Sequence, residues 1–171
     1  MKKILLIVLL LSVGFSQKLT EVVKTYDNGN IKSITYHKKT RDGIEKVKYE
    51  GYYKNGQKSQ EGTYKDGKED RLWTRWYENG QKKYEYTYKD GKEDGLWTKW
   101  YENGQKFREG TFKDGKQDGL WTDWYENGQK SYEVTYKDGK FNCFDGSKSI
   151  DASWVNDREC DCSDCSDEPL R

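Results

Sequence analysis

The chain has 171 residues, of which 36% are charged and 32% are hydrophobic, a balance that by itself leans towards disorder. Seven tryptophans, fourteen tyrosines and five phenylalanines reverse that interpretation, because each aromatic ring buries a large area. The formal net charge is +1 and the basic and acidic residues are interleaved, so the composition excludes a strong electrostatic attraction to nucleic acid or anionic lipid.

The first sixteen residues have the pattern of a secretory signal peptide (1–16). Lys2 and Lys3 form a positive start, and the apolar run 4–11 follows. Gly14 and Ser16 place small residues where a signal peptidase reads, so we predict cleavage after Ser16. The alternative, an uncleaved anchor, would need roughly 20 apolar residues to span a membrane. We expect an exported mature chain in the periplasm, at the cell surface or outside the cell, with no transmembrane span.

Residues 17–140 are dominated by a repeat of 24 residues. Two tryptophans recur at that spacing, as Trp73 and Trp76, Trp97 and Trp100, and Trp121 and Trp124. Each unit also holds one Asn-Gly and one Asp-Gly dipeptide, for example Asn103-Gly104 and Asp114-Gly115. Both dipeptides suit type I′ turns, in which both central residues have positive φ. We therefore expect tight hairpins at both turns of every unit.

The runs between these turns are rich in Trp, Tyr, Thr and Val, which favour strands. No run after residue 16 keeps a helical period. Two weaker copies of the unit come first, around Asn28-Gly29 and Asn55-Gly56, and an irregular loop at 37–43 is expected to absorb their longer spacing. The predicted fold class is all-β: an elongated antiparallel β-meander of repeated hairpins, followed by a small disulfide-containing tail.

Strand alternation assigns side chains to the two faces of the predicted sheet. Trp97 and Lys99 share one face, whereas Leu96, Thr98 and Trp100 take the other. Glutamates recur at one position of the unit and form a ladder: Glu61, Glu85, Glu109 and Glu133. Lysines on neighbouring strands are expected to offset the repulsion between these carboxylates through cross-strand pairs.

One copy of the unit reads Gly95-Leu96-Trp97, then Trp100-Tyr101-Glu102-Asn103-Gly104-Gln105-Lys106, then Lys113-Asp114-Gly115. This unit resembles the MORN repeat, specifically the variant found in YwqK-type antitoxins. The resemblance covers roughly residues 20–140. It implies an array that acts as an elongated binding or scaffolding surface, and its antitoxin variant implies an immunity-like protein that neutralises a partner toxin.

The composition changes at Phe141, where the tail 141–171 begins. All four cysteines lie there: Cys143, Cys160, Cys162 and Cys165. An even number of cysteines in one short stretch of an exported chain predicts disulfides, although four cysteines allow three connectivities.

The tail contains Asp-Gly-Ser after Cys143, then Val155-Asn156-Asp157, Cys160-Asp161-Cys162 and Ser166-Asp167-Glu168-Pro169. It resembles the calcium-binding module of the glucosidase II beta subunit, which is related to the low-density-lipoprotein receptor class A repeat. The resemblance implies a Ca²⁺ ion held by the side chains of Asp157, Asp161, Asp167 and Glu168 and by the carbonyls of Trp154 and Glu159. Calcium favours such hard oxygen ligands. The pairs that we expect are Cys143–Cys160 and Cys162–Cys165; the alternative for the whole segment is a solvated acidic tail with structural disulfides.

Nothing in the sequence favours catalysis. The only histidine is His37, and no nucleophile accompanies it. The glutamate ladder repeats four times, whereas hydrolysis by carboxylates needs one special pair. We therefore predict a protein that is not an enzyme.

Binding through aromatic side chains is the preferred hypothesis, because exposed aromatic patches mark interaction sites. The candidate binding residues are Trp73, Trp76, Tyr77, Trp97, Trp100, Tyr101, Trp121, Trp124 and Tyr125. We expect a protein partner or a scaffolding role in the envelope. The alternative is a glycan-binding module, with sugar rings stacked on tryptophan.

Overall fold

The computed structural model describes residues 18–143 and 148–151, together with Val155 and Cys162. The predicted signal peptide and most of the tail lie outside these residues. The described chain divides into two compact units, Met1–Gly91 and Lys92–Arg171. All regular structure in the described residues is β-strand, in agreement with the predicted all-β class.

The first unit is an antiparallel meander of six strands, each paired with the strand before it. These strands are β1 (Leu19–Thr25), β2 (Ile31–Lys39), β3 (Ile44–Tyr52), β4 (Lys58–Lys65), β5 (Lys68–Trp76) and β6 (Lys82–Lys89). His37 lies within β2, opposite Lys46, and not in a loop as predicted. The extra residues of this hairpin are used in longer strands with a bulge at Tyr36 and His37, so the connecting loop shrinks to four residues.

The second unit continues the same pattern, again with antiparallel neighbours throughout. Its strands are β7 (Lys92–Trp100), β8 (Lys106–Lys113), β9 (Lys116–Trp124), β10 (Lys130–Lys137), β11 (Lys140–Asn142) and β12 (Ser149–Asp151). The repeated hairpins predicted from the turn dipeptides are therefore confirmed in both units.

The two turn dipeptides adopt different conformations. Asp114 and Gly115 have φ of 51° and 84°, so the Asp-Gly hairpin has positive φ at both central residues, as type I′ requires. At the Asn-Gly turn only Gly104 has positive φ (86°), so the predicted type I′ turn is wrong there. Asn103 keeps negative φ because its side-chain oxygen accepts the backbone N–H of Gln105 at 2.9 Å. A type I turn followed by a left-handed glycine results.

A β-bulge follows every Asn-Gly turn of the described repeats. In the second unit Lys99 pairs with Arg108, but the next residue, Trp100, pairs with Lys106, which leaves Phe107 as the extra residue. The same shift in register occurs at the other Asn-Gly hairpins. A bulge changes which residues share a face on either side of it.

Tryptophan rings form the core on one side of each unit, which we call the tryptophan face. Trp73 in the first unit and Trp121 in the second are 3% and 1% exposed. Each packs edge-on against an aromatic neighbour, with ring centroids 5.2 Å apart for Tyr64 and Trp73 and 5.1 Å apart for Phe112 and Trp121. Each indole N–H also donates a hydrogen bond of 3.2 Å to a backbone carbonyl of the neighbouring strand.

Two glycines in the middle of strands make room for these rings. A Cβ added at Gly62 would lie 2.1 Å from the ring of Trp73, and one added at Gly110 would lie 2.2 Å from the ring of Trp121. Glycine in a strand often marks such a close approach. The bare backbone at these positions is the surface on which the indole rings lie.

The described part of the tail covers the tryptophan face at the end of the second unit. The buried cluster consists of Trp121, Val134, Tyr136, Phe141, Cys143, Ile150, Val155 and Cys162. A disulfide joins Cys143 to Cys162, with Cα atoms 5.6 Å apart. This corrects the expected pairs Cys143–Cys160 and Cys162–Cys165: burial of both half-cystines in one cluster brings them together. Cys160 and Cys165 lie outside the described residues.

Candidate functional site

The side of each unit opposite the tryptophan face has its own recurring residues, and we call it the threonine face. It carries Leu72, Thr74 and Trp76 in the first unit, and Leu96, Thr98, Trp100, Leu120, Thr122 and Trp124 in the second. These faces are those that strand alternation predicts.

The middle of the threonine face is a hydrogen-bonded network. Thr98 is only 2% exposed, and its hydroxyl donates a hydrogen bond of 3.1 Å to Oε2 of Glu109. Lys106 Nζ lies 2.6 Å from the same oxygen. The arrangement recurs one repeat later in Thr122, Glu133 and Lys130. Such a network satisfies its buried polar atoms and holds the side chains in one geometry.

The lysine of each network lies on the same strand as its glutamate, and not on a neighbouring strand as predicted. The pairs are Lys58–Glu61, Lys82–Glu85, Lys106–Glu109 and Lys130–Glu133. In a regular strand, residues three apart point to opposite faces. The bulge between them inserts one residue and returns the lysine to the face of the glutamate.

Exposed leucines lie beside this network in the second unit and form what we call the leucine row: Leu96 and Leu120 are 55% and 56% exposed. The equivalent residue of the first unit, Leu72, is 53% exposed. Each pairs across the strands with a threonine: Leu72 with Thr87, Leu96 with Thr111 and Leu120 with Thr135. A single exposed leucine is ordinary, but a leucine exposed at the same position of successive repeats produces an organised apolar surface of the kind that marks interaction sites.

The candidate binding residues fall into two groups. Trp73 and Trp121 are core residues on the tryptophan face, so their rings are not accessible to a partner. The prediction that these two residues belong to a binding surface is therefore corrected. Trp97 is half-buried on the same face, with its ring centroid 5.5 Å from that of Trp121. The close-packed glycine backbone beneath the rings explains this burial, which alternation alone does not reveal.

The remaining candidates keep accessible surface. Trp76 and Trp124 are half-buried on the threonine face, and lysine ammonium groups lie 5.9 Å and 5.5 Å from their ring centroids. The other half-buried candidates are Tyr77, Trp100 and Tyr101. The Tyr101 hydroxyl donates a hydrogen bond of 2.9 Å to the carbonyl of Trp124. Tyr125 is 56% exposed.

The first unit also holds a buried carboxylate that sequence reasoning missed. Glu50 is 7% exposed at the position that threonine occupies in later repeats. Its oxygens accept hydrogen bonds from Tyr36 (3.0 Å), Tyr52 (2.8 Å) and Lys48 (2.8 Å), and Lys58 lies 3.4 Å away. Burial alone would raise the pKa of Glu50, but the three donors outweigh burial and bring that pKa down to about 2. Glu50 is thus a charged group at neutral pH that ties β2, β3 and β4 together.

The predicted calcium ligands Asp157, Asp161, Asp167, Glu168, Trp154 and Glu159 lie outside the described residues. Within the described residues, no cluster of three or more histidine, cysteine or acidic side chains could hold a metal ion. Nor does that part of the chain contain a helix long and apolar enough to cross a membrane.

Successive antiparallel hairpins on a repeated aromatic core define this chain as a β-hairpin repeat protein. A family model described as MORN repeat variant matches residues 41–66, 72–90, 93–114 and 117–138, which together make up more than half of the chain. The chain therefore belongs to the MORN repeat family. A comparison with curated proteins gives no match.

The hairpin of β1 and β2 lies before the matched ranges but has the same turn. The Gly29 N–H donates to the carbonyl of Tyr26 at 3.0 Å, and the Tyr26 hydroxyl donates to the carbonyl of Tyr52 at 2.7 Å. Tyr101 and Trp124 make the matching contact in the second unit. The structural repeat therefore begins one hairpin earlier than the sequence match.

Proposed function

We propose that this protein is an exported, non-catalytic repeat protein whose threonine face binds a protein partner, as an envelope scaffold or as an immunity-like antitoxin. Repeats of this family commonly serve as protein- or membrane-binding modules. Export is supported by the signal-peptide pattern of residues 1–16 and by the Cys143–Cys162 disulfide, because disulfides persist in oxidising compartments.

The leucine row is the observation that carries the proposal. Leu96 and Leu120 stay more than half exposed, although the same chain buries its aromatic rings on the opposite face. The hydrogen-bonded threonines beside them hold the strands in one geometry. A partner that covered the leucines would gain apolar contact without having to order this surface first.

A protein partner is favoured over a glycan by the surroundings of the tryptophans. Sugar rings stack on open indole faces, but Lys58 and Lys106 lie over the rings of Trp76 and Trp124. Tryptophan is enriched in protein-binding hot spots, and the exposed leucines on the same face add the apolar surface that marks interaction sites.

The absence of catalysis is part of the same proposal. Glu109 and Glu133 are each engaged by a threonine hydroxyl and a lysine in matching geometry. A catalytic carboxylate pair would differ from the others of its ladder. No single glutamate of the network should therefore be essential for function.

Capture of partners from the native cell envelope tests the leucine row. Wild-type mature protein should retain a specific partner, and the double variant Leu96→Asp with Leu120→Asp should lose it. The control is Ser131→Asp, which places one such charge at an exposed bulge residue away from the leucines. Retention of the partner by the leucine variant, at normal melting temperature, would contradict the proposal.

Calcium binding by the tail is a separable part of the proposal and rests on the carboxylates of residues 157–168. Calorimetry of the mature chain with calcium chloride should give a Kd of roughly 10⁻⁴–10⁻³ M, the range of extracellular modules. Asp161→Ala should abolish the heat of binding. A wild-type protein that gives no heat would leave the solvated acidic tail as the correct description.

A further inference from the structure

The first unit contains a small pocket on its β4–β6 strands. Its volume is about 220 Å³, and it is lined by Tyr53, Ser59, Gln60, Arg75, Trp76, Lys83 and Tyr84. Ser59 and Lys83 are the extra residues of two β-bulges, which carry them out of the regular alternation. The pocket therefore combines two cationic groups with aromatic walls.

In the second unit, an arginine at the equivalent pair of strand positions is matched by a carboxylate. Arg108 and Asp123 are cross-strand partners, and they form a two-pronged ion pair with distances of 2.5 Å and 2.9 Å. The corresponding pair in the first unit is Gln60 and Arg75, two repeats earlier in the same register. The acidic residue is thus replaced by an arginine, and its partner by a neutral amide.

No carboxylate of the described residues compensates Arg75. Its guanidinium carbon instead lies over the Tyr86 ring, 5.6 Å from the ring centroid. Lys83 is in a similar position, because its ammonium lies over the rings of Tyr77 and Tyr84 at 5.0 Å and 5.9 Å. Two cations facing one pocket repel each other, and an incoming anion would relieve that repulsion.

We propose that this pocket binds a carboxylate side chain of a peptide. Arg75 donates hydrogen bonds to both carboxylate oxygens, and Lys83 supplies the second positive charge. The guanidinium fork fits a carboxylate in two-pronged geometry. The aromatic walls contact the aliphatic stem of the glutamate or aspartate. A peptide carboxylate is favoured over an acidic sugar because the Arg108–Asp123 pair shows a protein side chain in the matching register. The exposed leucines do not line this pocket, although Trp76 belongs both to its lining and to the threonine face, so the two proposals are tested by different substitutions and can fail independently.

Two capped tripeptides test the assignment: acetyl-Leu-Glu-Leu-amide and its glutamine counterpart. Nuclear magnetic resonance of the ¹⁵N-labelled mature chain would follow the Arg75 Nε–H signal during titration. The glutamate peptide should shift this signal in a saturable way, and the glutamine peptide should bind about tenfold more weakly, as expected for loss of a charge-assisted pair. Equal binding of the two peptides would overturn the proposal.

Variants separate this site from general charge effects. Arg75→Gln and Gln60→Glu should each weaken binding of the glutamate peptide about tenfold, the second because an internal carboxylate then occupies Arg75. The control Lys113→Ser removes an exposed lysine outside the pocket lining and should leave binding unchanged. Unchanged binding in Arg75→Gln would refute the site. Saturable binding of sodium glucuronate without peptide binding would overturn the peptide assignment and identify a sugar site.

Discussion

Replacement of Gly110 by alanine is expected to destabilise the second unit far more than an ordinary strand substitution. The added Cβ would lie 2.2, 2.3 and 2.5 Å from the Cδ2, Cε2 and Cγ atoms of Trp121. Carbon atoms in contact prefer separations of about 3.5–4.0 Å. The overlap exceeds 1 Å, and the obstacle is a rigid ring that is 1% exposed, so rotation of a flexible side chain cannot relieve it.

The loss of stability depends on how far the Trp121 ring must move. If the ring moves away, it loses its packing and the 3.2 Å hydrogen bond from its N–H to the carbonyl of Thr111. Overpacking a core costs about 1–3 kcal/mol, and a lost buried hydrogen bond adds about 1 kcal/mol. Gly110→Ala should therefore lower the free energy of unfolding by about 2–4 kcal/mol. Urea denaturation followed by tryptophan fluorescence measures this difference.

A double-mutant cycle isolates the clash. In a Trp121→Leu background the ring is gone, so the additional cost of Gly110→Ala should fall to within about 0.5 kcal/mol of zero. Gly62→Ala should repeat the single-variant result in the first unit, where Trp73 lies 2.1 Å from the added Cβ. An equal cost of Gly110→Ala in both backgrounds would refute the argument that the ring defines the need for glycine.

Three further outcomes follow from the described contacts. The folded pKa of Glu50 is about 2, below its ordinary value of 4.5, so the stabilisation from its charged form is present above pH 4.5 and is lost as the pH falls towards 2. In urea denaturation across that pH window, the free energy of unfolding of the wild type should fall by about 3 kcal/mol more than that of Glu50→Gln. Cys143→Ser removes a disulfide that spans 19 residues, so it should lower the free energy of unfolding of the second unit by about 3 kcal/mol. A reductant should destabilise the wild type by a similar amount and should not destabilise the variant further. Asp114 has φ of 51°, a left-handed conformation that asparagine adopts more readily than alanine. Asp114→Ala should therefore destabilise the protein by about 1 kcal/mol and lower its melting temperature, whereas Asp114→Asn should not. Equal melting temperatures of the two variants would contradict the strain argument.

The local parts of this fold are predictable from the sequence because they depend on neighbouring residues. The Asp-Gly dipeptides define type I′ hairpins, and the aromatic runs between them form strands. The conformation of the Asn-Gly turns could not be predicted in this way. One hydrogen bond from the Gln105 N–H to the Asn103 side chain selects another turn, whose bulge then changes the face on which Lys106 lies. The lysine–glutamate pairing within a strand could not be predicted without that register.

Burial of the tryptophans depends on contacts between distant parts of the chain. One signal was available, because the equivalent positions 62 and 110 hold glycine in the middle of strands, and glycine there marks a close approach. The pairing of Cys143 with Cys162 had no such signal. It depends on how the tail folds over Trp121, which the spacing of four cysteines does not specify.

The difference between the two faces is the reason why we propose the leucine row as the binding surface. On the tryptophan face of the second unit the apolar area around Trp121 is already covered, since Ile150 and the disulfide of the tail pack into the cluster there. This end of the array therefore has its own cap, as terminal repeats require. The threonine face has no such cover in the described residues, and Leu96 and Leu120 remain more than half exposed there. The tail covers the tryptophan face around Trp121 and leaves an apolar row exposed on the threonine face, and this difference supports the proposal that a partner covers the threonine face.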